Sequence, residues 1–197
     1  MIILASNSKR RQDILGRFVE YKVITKDIKE NNSEYNSPNQ LVMALSFEKG
    51  IEVARENPES IVLSADTVVA LKGKVLGKPK DRKDAKKMLE NLSNTEHIVL
   101  TGYSIFKLDE NIKYTNYEIS KVKFRKLDDE IINSYLNTKE YVDKAGSYGI
   151  QGYGALLVES IVGDYENIVG LPISKIAQDF KRLFNINLLS EGLDGKI

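Results

Sequence analysis

IVLSADTVVALKGKVLGKPKD, residues 61–81, is the stretch on which the fold turns. Residues 61–71 are almost wholly apolar and rich in β-branched side chains, which reads as one long bent strand or a strand pair. The KGK that follows is a tight turn, and VLGKPKD is a short strand running into a loop. Asp81 then N-caps a helix whose inward stripe is Ala85, Met88, Leu89 and Leu92. Upstream, Ser37, Pro38 and Gln40 form a capping box ahead of a helix that ends near Pro58. Before that, IILA reads as a buried strand, and Ile14, Leu15 and Phe18 share one face of a first helix.

Downstream, HIVLTGYSIFKL and YTNYEISKVKFRKL predict two long strands joined by a polar turn at Asp109 to Asn111. A helix around DDEIINSYLN, the glycine-dense DKAGSYGIQGYG, a strand ALLVESIV and a turn at Gly163 and Asp164 follow. A last helix starts at Pro172, with Ile173, Ile176, Ala177, Phe180 and Phe184 inward. Strands and helices alternate only in part, so the expected fold is α/β with a mixed rather than parallel sheet and flanking helices. With 197 residues, 42% of them hydrophobic, and no linker, residues 1–197 are read as one domain.

Charge narrows the partners. The 29 basic and 28 acidic residues nearly cancel, so no overall positive field would hold the chain on nucleic acid. An anion site must be a local cluster. Cysteine is absent and His97 is the single histidine, which removes thiolate chemistry and turns any metal site toward oxygen ligands and Mg²⁺-like ions. No secretory pattern opens the chain, and no apolar run approaches the ~20 residues of a membrane span, so a cytoplasmic protein is expected.

Five constellations could carry chemistry. Ser6, Ser8, Lys9, Arg10 and Arg11 gather where the first strand meets the first helix. Cations there oppose the positive helix end by about 0.3–1 kcal/mol each when exposed, a conflict that a phosphate would relieve. A solvated basic turn would look the same. Lys49 falls between Val42, Leu45 and Val53 on the helical wheel, an odd place for a charge unless its stem merely snorkels. Glu48 beside it shares that ambiguity. Asp66, next to Thr67, sits where an apolar strand ends, so it could hold a divalent ion or take a proton from water, or simply make a turn. Gly77 and Pro79 stiffen the backbone around Lys78. Gln151, among Gly146, Gly149, Gly152 and Gly154, offers an amide able to read the edge of a base. His97 is read as structural, and Tyr148 and Tyr153 are open to stacking on a base or to ordinary packing.

Taken together, LASNSKRR, FEKG, SADTVV, LGKPKD, Thr101 with Gly102, DKAGSYGIQG and NIVGLPIS, in this order, resemble the Maf family of nucleotide pyrophosphatases over about residues 2 to 184. The resemblance implies an elongated mixed α/β fold, related to inosine triphosphate pyrophosphatases, with two lobes around a cleft. It implies phosphate binding by Ser6, Ser8, Arg10 and Arg11, and a charged lining of Glu30, Lys49, Asp66 and Lys78. Asp66 stands at the position of the proton acceptor, and Glu30 with Asp66 would hold Mg²⁺ or Mn²⁺. Arg10, Thr67 and Gln151 match the specificity positions of the subgroup that cuts dTTP and UTP to monophosphate and pyrophosphate. The alternatives are a purine or 7-methyl-GTP pyrophosphatase and, from another class, a non-enzymatic nucleotide-binding regulator of septum formation. A homodimer is compatible with the sequence but not required by it. Three departures from the family pattern stand out: Lys9 for proline, Lys29 for a second acidic residue, and Gly50 for alanine.

Overall fold

The computed structural model describes residues 1–27, 35 and 37–194, which leaves Lys29 and the expected metal ligand Glu30 outside the described residues. The chain runs β1 (Ile2–Leu4), α1 (Lys9–Leu15), β2 (Lys22–Val23), α2 (Pro38–Glu56), β3 (Ile61–Leu71), β4 (Lys74–Leu76) and α3 (Arg82–Leu92). It continues through β5 (Glu96–Lys107), β6 (Ile112–Phe124), α4 (Asp129–Asn137), β7 (Val158–Val162), α5 (Tyr165–Val169), α6 (Ile173–Phe184) and α7 (Leu188–Asp194). The strands form one seven-stranded sheet in the order β2-β1-β3-β5-β6-β7, with β4 hydrogen-bonded to β3. β1 lies parallel to β2 and β3 and the other pairings are antiparallel, so the sheet is mixed, as expected. No described helix is long and apolar enough to cross a membrane.

The 61–71 stretch forms one strand, and the KGK turn follows from its glycine. Lys72 and Gly73 have φ of 50° and 77°, the positive pair that a two-residue hairpin of the primed type requires. Asp81 caps α3 by accepting from the Asp84 amide at 2.8 Å. Ser37 does occupy the N-cap of α2, but its hydroxyl makes no capping bond, so the anticipated box is not formed and Pro38 at the first turn starts the helix. The expected strand over 155–162 begins only at Val158, because Gly152–Leu157 coil into a 3-10 turn.

Side chains on β3 alternate between two cores. Leu63, Ala65 and Val69 enter a large cluster with Ile14 and Leu15 of α1, Leu89 of α3, Leu136 of α4 and Phe180 of α6. Val62, Val68 and Ala70 point the other way, into smaller clusters beneath α2 with Val53, Leu41 and Leu45. Asp66 follows the even-numbered residues toward α2, and Thr67 follows the odd ones. On one edge of β3, β1 covers residues 61–63 and β4 covers 69–71. On that edge, among the described residues, no strand pairs with residues 64–68, which β5 pairs only from the other side.

Small residues let α2 lie close on the sheet. A Cβ on Gly102 of β5 would stand 2.3 Å from the Val42 carbonyl oxygen and 2.8 Å from the Met43 nitrogen, inside the backbone of α2. One on Gly50 would meet the Phe106 ring and Ser64 Oγ at 2.4 Å. Glycine inside a helix costs about 0.5–1 kcal/mol relative to alanine, and here that cost is offset by close seating on Ser64 and Phe106. Ser64 Oγ donates to the Ser46 carbonyl at 2.6 Å, and Ser46 and Ser104 hydroxyls meet at 3.0 Å, so the hydroxyls of this seam find partners.

His97 is structural, as its surroundings in sequence suggested. It is buried, 2.8 Å from the Tyr148 hydroxyl through Nε2, and edge-on to Phe124. Burial pushes its pKa down from 6.5 to about 4, with Glu96 pulling weakly the other way. Above pH 6.5 the ring is neutral folded or unfolded and costs nothing. As pH falls from 6.5 toward 4 the unfolded chain takes up a proton that the folded chain refuses, so up to ~3 kcal/mol of stability is lost. As the only histidine, its ring resonances are expected to titrate near pH 4 in an NMR series; a midpoint near 6.5 would contradict this burial.

Candidate anion-binding cleft

The uncovered stretch of β3 forms part of a cleft of about 1210 Å³. Its walls come from the start of α1, the inner face of α2, the β3–β4 hairpin and the segment 140–152. Of the residues picked from sequence, Ser8, Arg10, Arg11, Lys49, Asp66, Thr67, Lys78 and Gln151 all line it. Ser6 does not, and Glu30 lies outside the described residues.

Lys49 and Asp66 form an ion pair in which Nζ meets Oδ1, with side-chain exposures of 24% and 14%. Its odd position on the wheel is thus explained by a partner on the sheet rather than by snorkelling. Seating of α2 over Gly102, which lies directly opposite Asp66 in the β3–β5 register, brings the two together. Asp66 Oδ2 has no protein hydrogen-bond partner among the described residues. Glu48, by contrast, is taken by the Tyr35 hydroxyl at 2.9 Å.

Arg11 comes from the opposite side of β3. Its guanidinium donates to the Gly170 carbonyl at 2.8 Å, to Thr67 Oγ1 at 3.0 Å and to Ser6 Oγ at 3.2 Å. Burial draws its pKa down, while Asp66 pulls it back up and Arg10 pushes it down again. The hydroxyl chain beneath it has a fixed direction. Thr101 donates to the Asn167 carbonyl at 2.9 Å, so the 2.9 Å contact between Thr67 and Thr101 must be Thr67 donating. Thr67 therefore accepts from Arg11 and donates to Thr101, and its hydroxyl acts as a brace for Arg11. Ser6 is a second brace, buried beneath the cleft wall.

Arg10 Nε reaches the Val169 carbonyl at 3.4 Å, so both arginines rest on the C-terminal carbonyls of α5, where the helix dipole favours cations. Sequence reasoning missed α5, since five residues are too few to show a helical period. The signal was present in Asp164, which caps α5 by accepting from the Glu166 amide at 2.8 Å but was read only as a turn residue. Gly170, at φ 126°, ends the helix and leaves its carbonyl free for Arg11. Tyr148 lines the cleft, but its ring packs edge-on against His97 and Phe124, which makes it wall rather than a free stacking platform. Lys78 and Gln151 are exposed on their loops and make no hydrogen bond among the described residues.

A carboxylate paired with an ammonium at an open strand edge, with arginines and lysines from separate elements lining the same cleft, defines an α/β protein whose cleft suits an anion. The chain belongs to the Maf-like protein family, which it matches over residues 1–183. It is 53% identical over 188 residues to a dTTP/UTP pyrophosphatase of Clostridioides difficile strain 630, covering 95% of this chain and 97% of that protein. A dTTP/UTP pyrophosphatase of Pyrococcus furiosus is 45% identical over 189 residues, covering 93% and 98% respectively. Among solved structures, a HAM1 protein from Coxiella burnetii aligns over 98% of this chain and 94% of its own at 13% identity, with a TM-score of 0.49.

Proposed function

We propose that this cleft hydrolyses dTTP and UTP, giving the nucleoside monophosphate and pyrophosphate. The observation that carries the chemistry is the Lys49–Asp66 pair on the uncovered edge of β3, with Arg10, Arg11 and Lys78 around the same cleft. The substrate follows from near full-length relatives named dTTP/UTP pyrophosphatase at 44–53% identity. Asp66 accepts a proton from water through Oδ2 while Lys49 holds Oδ1. The water oxygen bonds to the α-phosphorus, and the bond to the β-bridging oxygen breaks, releasing pyrophosphate. Arg10, Arg11, Lys49 and Lys78 spread the charge that builds on the leaving group, which is most of what such a site must do.

A divalent ion, Mg²⁺ or Mn²⁺, fits this cleft. No trio of described carboxylates or imidazoles could cage one, but an ion that keeps its waters and leans on substrate phosphates needs one or two carboxylates. Asp66 would supply one, and Glu30 is the second expected ligand. When bound, the ion would withdraw charge from the phosphate oxygens.

Specificity is assigned to Gln151, whose exposed amide makes no hydrogen bond among the described residues, and to Arg10 and to Thr67 through Arg11. Pyrophosphate release from a panel of natural and modified triphosphates is expected to be selective for dTTP and UTP. Equal or faster turnover of purine triphosphates would overturn both the substrate and the part given to Gln151.

A further inference from the structure

Lys144 lines the cleft, yet nothing described so far uses it. It is partly buried and makes no ion pair among the described residues. Of the carboxylates near it, Glu140 is committed: Oε1 accepts from the Tyr153 amide at 3.0 Å and Oε2 from the Gly154 amide at 3.1 Å. Asp143 is exposed. The cations acting on Lys144 are Arg10 and Lys78, with Asp143 and Glu140 opposing them. Loss of hydration, more than these like charges, lowers its pKa.

The backbone that presents Lys144 is built to hold this arrangement. Lys139, Asp143 and Ser147 have φ of 63°, 59° and 63°, left-handed values uncommon for residues other than glycine, and such strain survives only where the surroundings enforce it. Two anchors enforce it here. Gly146 presses on Val69 of β3, where a Cβ would stand 3.0 Å from Cγ1, and its amide donates to the Gly77 carbonyl at 3.1 Å. Ser147 Oγ meets Met88 Sδ at 3.0 Å. Lys78 and Lys144 thus flank a single backbone hydrogen bond between their two segments, with Arg10 completing the set from α1. Three cations that make no ion pair among the described residues, gathered from separate parts of the chain in a partly dehydrated cleft, are drawn together most favourably by an anion.

We propose that Lys144, with Lys78 and Arg10, holds the pyrophosphate half of the triphosphate. This rests on the pyrophosphatase reading above and adds a residue and a direction to it. Lys49 and Asp66 meet where α2 packs on β3, whereas the segments carrying Lys78 and Lys144 meet at the Gly146–Gly77 hydrogen bond just past β4. The reacting end therefore lies toward Lys49, Asp66 and Arg11, and the tail of the substrate, its most highly charged part, toward Lys144. Exposure of Gln151 at the far end of the same segment leaves the base its own contact.

The test is calorimetric binding of inorganic pyrophosphate and of dTMP to the full chain, in wild type, Lys144→Met and Lys144→Arg. Methionine keeps the stem without the charge. The pyrophosphate dissociation constant is expected to rise about tenfold or more in Lys144→Met, with dTMP binding and the melting temperature unchanged, and to recover in Lys144→Arg. Undiminished pyrophosphate binding in Lys144→Met, or equal loss of dTMP, would overturn the assignment. Because binding requires no turnover, a wild type that bound pyrophosphate through Lys144 yet cleaved neither dTTP nor UTP would sink the substrate reading alone.

Discussion

Replacing Asp66 with asparagine is expected to lower kcat for pyrophosphate release by about 10²–10⁴-fold, the range that a positioned proton acceptor contributes. Asparagine has the same shape, and its amide oxygen can still accept from Lys49, so the chain should fold and bind nucleotide. What it loses is a basic oxygen at Oδ2, the one that no protein group occupies among the described residues. The loss should therefore fall on kcat more than on KM. Near-full turnover by Asp66→Asn with dTTP at saturating Mg²⁺ would remove Asp66 from the chemistry and leave Lys49 as mere charge compensation.

The second large effect is expected at Gly102, on the strand beside Asp66. Gly102→Ala puts a methyl group 2.3 Å from the Val42 carbonyl oxygen, and because the obstacle is helix backbone it cannot yield by changing rotamer. Overpacking of this kind costs typically about 1–3 kcal/mol, which urea unfolding would read directly. The activity loss should exceed what that instability explains. α2 must lift off β5 at the level of Asp66, carrying Lys49 with it, so the surviving folded enzyme should turn over at least ~10-fold more slowly, the effect of a barrier raised by ~1.4 kcal/mol. A stable Gly102→Ala protein with normal kcat would show that the pair forms whatever the height of the helix.

Much of this architecture was legible in the chain because it is locally encoded. The β3–β4 hairpin announces itself through Gly73, the α3 cap through Asp81, and the inward stripe of α6 through Ile173, Ile176 and Phe180. Eight of the residues chosen from sequence do line one cleft. What local pattern could not give is the meaning of contacts between distant segments. The parity of residues 61–71 puts Asp66 and Thr67 on opposite faces of the sheet, but an almost continuous apolar run hides that parity. Ser6 looked like a phosphate ligand because a serine below a wall and a serine on it have the same letter; only Arg11 above it decides. The glycine at position 50 looked like a weakness in a helix until Phe106 and Ser64, from other strands, filled the space that its side chain would need.

The arginine brackets have a consequence for the life of the chain before it is finished. The partners of Arg10 and Arg11 are the carbonyls of Val169 and Gly170, each 159 residues away. On the ribosome, α1 emerges well before α5, so the guanidiniums lack these partners until the intervening residues have been made. A nascent chain can have folded much of its sheet and still present no finished nucleotide site. Triphosphates meet working chemistry only after two segments 159 residues apart have closed on each other.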